Sequence, residues 1–119
     1  MDSQAGPDRE EGLTLPGGYR LSSMARLDLF DIVDYTLATW GEEQALRYLD
    51  GLEECFRLLA ESPEIGRACE GVRPGYRRHE HQKHAIFYRA DGEGVLIGRI
   101  LHQRMLPNRR LLDESSADQ

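Results

Sequence analysis

The residues of this chain with the widest chemical repertoire are four histidines, His79, His81, His84 and His102, set among arginines. His79 and His81 are two apart, so on a strand they share a face and form a possible metal-ligand pair. No Cys or carboxylate completes a set at recognisable spacing, and Arg77, Arg78 and Lys83 would repel a cation. Solvated strand-face histidines are the better reading, and no metal or cofactor is expected. Acid–base chemistry has more substance. Arg77, Arg89, Arg99, Arg104, His79 and His102 could line one open sheet face, where His shuttles protons and Arg neutralises a phosphate, the equipment of a ribonuclease. The simpler reading, which carries more weight, is that alternating Arg on a sheet is its wet face. No Ser/His or Cys/His nucleophile–base pair stands out: Cys55 is expected to face inward on a helix, and Cys69 sits in a loop. Gly92 to Gly98 belongs to a hairpin and its strand, not to a phosphate loop.

The elements that must position these residues are legible in the spacing. Tyr19-Arg20-Leu21 is long enough only for an edge strand, and Ser22 or Ser23 offers an N-cap oxygen. From Met24 to Trp40, a stripe of Ala25, Leu29, Ile32, Val33, Thr36 and Trp40 predicts a helix, with Asp28, Asp31 and Asp34 on its other faces. Trp40 reads as a core plug. Gly41 closes this helix as a positive-φ residue. A second helix follows at once, with Glu42 and Glu43 in its first turn, a stripe of Leu46, Leu49, Leu52, Phe56 and Leu59, and Pro63 at its end. So short a link predicts an antiparallel helical hairpin. Beyond a loop marked by Gly66, Gly71, Pro74 and Gly75, Tyr76 to His81 alternates weakly. His84 to Arg89 and Val95 to His102 then read as a β-hairpin closed by Asp91-Gly92-Glu93-Gly94. The fold class is α+β: an edge strand, then an antiparallel helical hairpin packed on a small antiparallel sheet, in the order β-α-α-β-β-β.

Composition bounds the rest. At 119 residues the chain suits one domain, and its net charge of −6 does not indicate a basic nucleic-acid binder. The charge is uneven: residues 1–66 hold 5 Arg against 14 acids, whereas residues 67–110 hold 9 Arg and one Lys against 4 acids. A basic C-terminal half suits an acidic protein partner, since complementary charge steers encounter. No apolar run is long enough for a transmembrane helix. Two cysteines make neither a disulfide framework nor a zinc set, so reduced thiols in a cytoplasm are expected. Residues 1–18 read as a disordered extension, 19–106 as the folded domain, and 107–119 as a partly disordered tail.

An ordered series of residues resembles the ParE branch of the RelE/ParE toxin superfamily. It opens with Tyr19-Arg20-Leu21-Ser22, Ala25, Asp28-Leu29, Ile32, Tyr35 and Trp40-Gly41. It continues through Gln44-Ala45, Tyr48, Leu52, Phe56, Leu59, Pro63 and Gly66-Arg67. It closes with Pro74-Gly75-Tyr76-Arg77, His84, Ile86-Phe87-Tyr88-Arg89 and Ile100-Leu101-His102-Gln103-Arg104-Met105. The resemblance implies a bacterial type II toxin that inhibits DNA gyrase without being an enzyme. It implies neutralisation by a ParD-like antitoxin, with operator DNA bound only through that antitoxin. Target contact is then expected at Arg99, Arg104, Met105, Arg109 and Arg110, and antitoxin contact at Arg77, Tyr88 and Arg89. The RelE branch implies an alternative, a ribosome-dependent mRNA endoribonuclease with His102 as acid or base and Arg77 and Arg89 on the scissile phosphate.

Overall fold

In a computed structural model, residues 18–69 and 73–105 are described. The expected extension at 1–18, apart from Gly18, and the tail at 107–119 lie outside these residues, as do Arg109 and Arg110. The described chain runs β1 (Tyr19–Leu21), α1 (Ser23–Trp40), α2 (Glu42–Glu61), a 3-10 turn (Pro63–Ile65), β2 (Arg67–Ala68), β3 (Arg77–His81), β4 (His84–Asp91), β5 (Gly94–His102) and a second 3-10 turn (Gln103–Met105). No helix among these residues is long and apolar enough to cross a membrane.

Both helices begin and end where local chemistry directs. The Ser22 hydroxyl accepts the Ala25 N–H at 3.0 Å, satisfying one of the donors that a helix start leaves free. Gly41 joins the helices alone. Its φ of 97° is open to glycine at little cost, and its N–H closes α1 by donating to the Leu37 carbonyl. The helices therefore fold back as the expected hairpin. The inward faces differ in detail from the expected stripes. On α1 the buried residues are Ala25, Asp28, Ile32 and Thr36, so Asp28 lies inside rather than on an outer face. Trp40 is 67% exposed and plugs nothing, since the buried face of α1 ends one turn earlier at Thr36. On α2, Ala45 rather than Leu46 faces inward, followed by Leu52, Cys55, Phe56 and Leu59.

The sheet has five strands in the order β1-β5-β4-β3-β2. The edge strand β1 is confirmed, but it pairs parallel to β5, with Tyr19 opposite Val95 and Leu21 opposite Ile97. The other pairings are antiparallel, and the two-residue β2 adds a fourth strand to the expected meander of three. One face carries the core. Ile86, Tyr88, Val95, Ile97 and Ile100 pack against Leu52, Cys55, Phe56 and Leu59 of α2, Ala25 and Ile32 of α1, and Tyr19. Burying side chains of this size contributes about 1.5–3 kcal/mol each. The register shifts where Phe87 faces Arg99 and Tyr88 faces Ile97, leaving Gly98 as the extra residue of a bulge. A side chain at Gly98 would collide with the Tyr76 ring, which explains the glycine.

Candidate functional site

Directly paired strand residues share a face. Arg77 lies opposite Tyr88, His79 opposite Ile86, His81 opposite His84, and His84 opposite His102. Tyr88 and Ile86 belong to the core, so Arg77, His79, His81, His84 and His102 all stand on the hairpin's side of the sheet. Arg89, next to Tyr88 and opposite Leu96, is on the other side. The six residues expected to line one open face are thus divided between two. The sequence pattern could not anticipate this, because the hairpin covers only part of its face and leaves the strand ends on that same face for polar residues.

At those strand ends a cleft of about 460 Å³ opens between α1, the start of α2 and the end of β5. Its walls include Ile32, Tyr35, Trp40, Tyr48, Ile100 and Met105, with Asp31 on one side and Lys83 and Arg104 on the other. Tyr35, Trp40 and Met105 are all more than half exposed, a concentration of solvent-facing apolar surface that marks interaction sites.

His84 and His102 form the floor of the cleft, with His81 next to them on β3. The Tyr48 hydroxyl lies 2.6 Å from His84 Nδ1, and the His84 and His102 rings meet edge-on at 5.1 Å. Burial, then His102 and His81, push His84 down to about 4, so it is neutral and accepts the Tyr48 proton at Nδ1. Burial likewise raises Tyr48 to about 12 and keeps it a donor. His102 is lowered by burial and by the cations of Arg104 and Lys83, and its Nδ1 accepts the Arg104 N–H at 2.9 Å. His81 Nδ1 sits 3.6 Å from the Cys55 thiol, and burial lowers the imidazole and raises the thiol. The His81 ring packs over Gly51, where a Cβ would stand 3.2 Å from Nε2; a glycine in mid-helix was the overlooked sequence signal for this contact. Among the described residues no group of three or more His, Cys, Asp or Glu is arranged to hold a metal.

The arginines are largely committed. Arg99 donates to both carboxylate oxygens of Asp28, at 2.8 and 3.0 Å, which raises its already high basicity. Arg77 donates to the Gly66 carbonyl at 2.7 Å. Arg20 and Arg89 both reach Asp91. Arg78 is buried beside Phe87 and paired with Glu80. Tyr88 is fully buried; its hydroxyl donates to the Pro63 carbonyl at 2.6 Å and accepts the Gly66 N–H at 2.9 Å. It therefore presents no surface to an antitoxin, and its place in the core replaces the expected contact. Arg104 and Met105 are exposed at the lip of the cleft.

The trio required for phosphodiester cleavage does not converge. His102 on β5 sits opposite His84, whereas Arg77 on β3 sits opposite Tyr88, two strands over and displaced by four residues, about 13 Å, along the strand direction alone. Arg89 emerges on the opposite face.

A family model described as the ParE toxin of type II toxin–antitoxin system, parDE, matches residues 19–107. Toxin ParE1 of Mycobacterium tuberculosis is 45% identical over 94 residues, covering 78% of this chain and 96% of that protein. Toxin ParE1 of Caulobacter vibrioides is 45% identical over 87 residues, covering 73% and 90%. Toxin ParE of Escherichia coli is 35% identical over 97 residues, covering 80% and 93%. A solved structure described as the chromosomal ParDE TA system from P. aeruginosa shares the fold, with a TM-score of 0.61 at 24% identity over 71% of this chain and 94% of that one.

Proposed function

We propose a target and a partner for this chain, which belongs to the ParE toxin family of type II toxin–antitoxin systems. The toxin inhibits DNA gyrase in the bacterial cytoplasm by binding it, performs no chemistry of its own, and serves to stabilise the replicon that carries the pair. A ParD-like antitoxin neutralises it, in keeping with the ParDE pairing that the structural relative's description names. Operator DNA is reached only through that antitoxin.

The observation that carries the binding reading is the pairing of an exposed apolar cleft with Arg104 and Met105 at its lip, while His102, Arg77 and Arg89 stand apart. Arg104 and Met105 make the first target contact, with Arg109 and Arg110 continuing it along the chain. Arg99 contributes from beside them, its side chain 39% exposed while held by Asp28. Antitoxin contact falls on the outer side of the hairpin and on Arg77 and Arg89, since Arg is enriched at interface hot spots. His102 is poorly placed as an acid or base: Nδ1, the site that must gain a proton to form the imidazolium, is occupied by the Arg104 N–H.

The test is a gyrase supercoiling assay with purified protein, run beside translating ribosomes and messenger RNA. Inhibited supercoiling with intact message is expected. Cleaved message with unaffected gyrase would instead establish the endoribonuclease. Truncation after His102 is expected to remove toxicity while leaving antitoxin binding largely intact.

A further inference from the structure

We propose that Tyr48, His84 and His102 form a proton-operated latch, which in its neutral form ties the start of α2 to the open end of the sheet and on protonation lets that end of the hairpin lift. The geometry is that of a seam with one ionisable contact after another. Tyr48 on α2 reaches His84 Nδ1 at 2.6 Å, and its ring also stacks at 5.5 Å on His81. Cys55, two turns further along α2, meets His81 Nδ1 at 3.6 Å. His102 closes the far side, 5.1 Å from His84. The Tyr48 hydroxyl also reaches the His81 carbonyl at 3.4 Å, a long contact that adds to those through which this end of α2 is held to β3 and β4.

Two of them, Tyr48 to His84 and Cys55 to His81, use an imidazole Nδ1 as acceptor and so belong to the neutral form. A proton on His84 Nδ1 turns an acceptor into a donor, so Tyr48 Oη must accept there and its own proton is left with the His81 carbonyl, 3.4 Å away and too far for a short bond without a shift of α2. Two charged rings at His84 and His102 would repel across 5.1 Å of half-buried space. The surroundings add to the repulsion. Lys83 in the β3–β4 turn and Arg104 beyond β5 face His102, and His79 and His81 on β3 supply two more imidazoles. Asp28 of α1 is the carboxylate that favours a charge on His84, and it is already held by Arg99 and the Ile100 N–H. His81 Nε2 is buried without a hydrogen-bond partner against Gly51, so a second N–H there would also have nothing to receive it. The consequence for partner binding rests on the docking role proposed above for the cleft: acidification alters its floor and weakens docking. The existence of the latch does not depend on that role.

The chain holds one tryptophan, Trp40, which lines this cleft at the hairpin's turn and so reports on the latch directly. The full-length protein is titrated from pH 7.5 to 4 while Trp40 emission is followed, beside a His84→Gln, His102→Gln variant that keeps polar side chains and cannot titrate there. The wild type is expected to show a reversible red shift between pH 6.5 and 4 with far-ultraviolet circular dichroism retained, and the variant to show none. A variant that titrates like the wild type overturns the latch. Should the variant not fold, imidazole nitrogen shifts in the wild type decide. His84 protonation coincident with the Trp40 transition supports the latch, and protonation that leaves Trp40 unmoved overturns it.

Discussion

Asp28 and Arg99, 71 residues apart, form a two-pronged ion pair at 2.8 and 3.0 Å, and the same carboxylate accepts the Ile100 N–H at 2.9 Å. The third bond explains the other two. β1 covers β5 only from Val95 to Ile97, so the Ile100 N–H points off the edge of the sheet with no strand to receive it. A carboxylate on α1 takes the strand's place, and Arg99 balances its charge. Asp28→Ala is expected to destabilise the protein by about 2–3 kcal/mol, since it leaves a buried N–H and a half-buried guanidinium without their acceptor. Asp28→Asn should cost less, because its amide oxygen can still serve Ile100. Urea unfolding of the two variants at neutral pH checks the order.

Tyr88→Phe tests the internal role of that hydroxyl. It removes one donor and one acceptor that bind Pro63 and Gly66 where the chain leaves α2. The expected loss is about 1–3 kcal/mol, the range for leaving buried backbone groups unpaired. Antitoxin affinity, measured at a temperature where the variant is folded, should not change.

Stability should fall with acid in a defined window. His84 is held at about 4 against an ordinary 6.5. The unfolded chain therefore binds a proton that the folded chain refuses between those values. The contribution is fully present above pH 6.5 and is lost as the pH falls toward 4, reaching about 3 kcal/mol for one group shifted this far. Asp91, held low by Arg20 and the Glu93 N–H against the opposing effect of burial, acts only below its ordinary 3.8, so the two windows separate. Urea midpoints measured from pH 7.5 to 4 should decline, and His84→Gln should flatten the decline.

Arg104→Glu and Met105→Asp address the proposed target contact. Both side chains are exposed, so melting temperatures should stay within a degree or two of the wild type. Gyrase inhibition should weaken by about tenfold or more, the effect of losing one hot-spot side chain. Retained potency in both variants would move the contact away from the cleft's lip.

The elements themselves follow from chemistry local to each segment. Ser22 as cap, Gly41 as the one-residue link, the periodic apolar stripes and the glycine-rich turn before β5 are all local features, and local hydrogen bonding and side-chain direction decide them. Two helices and a β-hairpin were legible for that reason, and the ordered series from Tyr19 to Met105 identified the family. Which residues meet across the fold is a matter of packing between distant segments. Asp28 looked like an outer-face carboxylate because its partners, Arg99 and Ile100, lie 71 and 72 residues away. Alternation along a strand says which residues share a face, but not which face the hairpin covers or how far that cover extends. His79 and His102 therefore read as part of an open acid–base face, whereas the strand pairings put both on the hairpin's side of the sheet, with His102 edge-on to the buried His84 that Tyr48 contacts. Trp40 reads as core because periodicity continues to the end of a helix, and only the packed structure shows that the buried face stops at Thr36 and leaves Trp40 on the wall of a cleft.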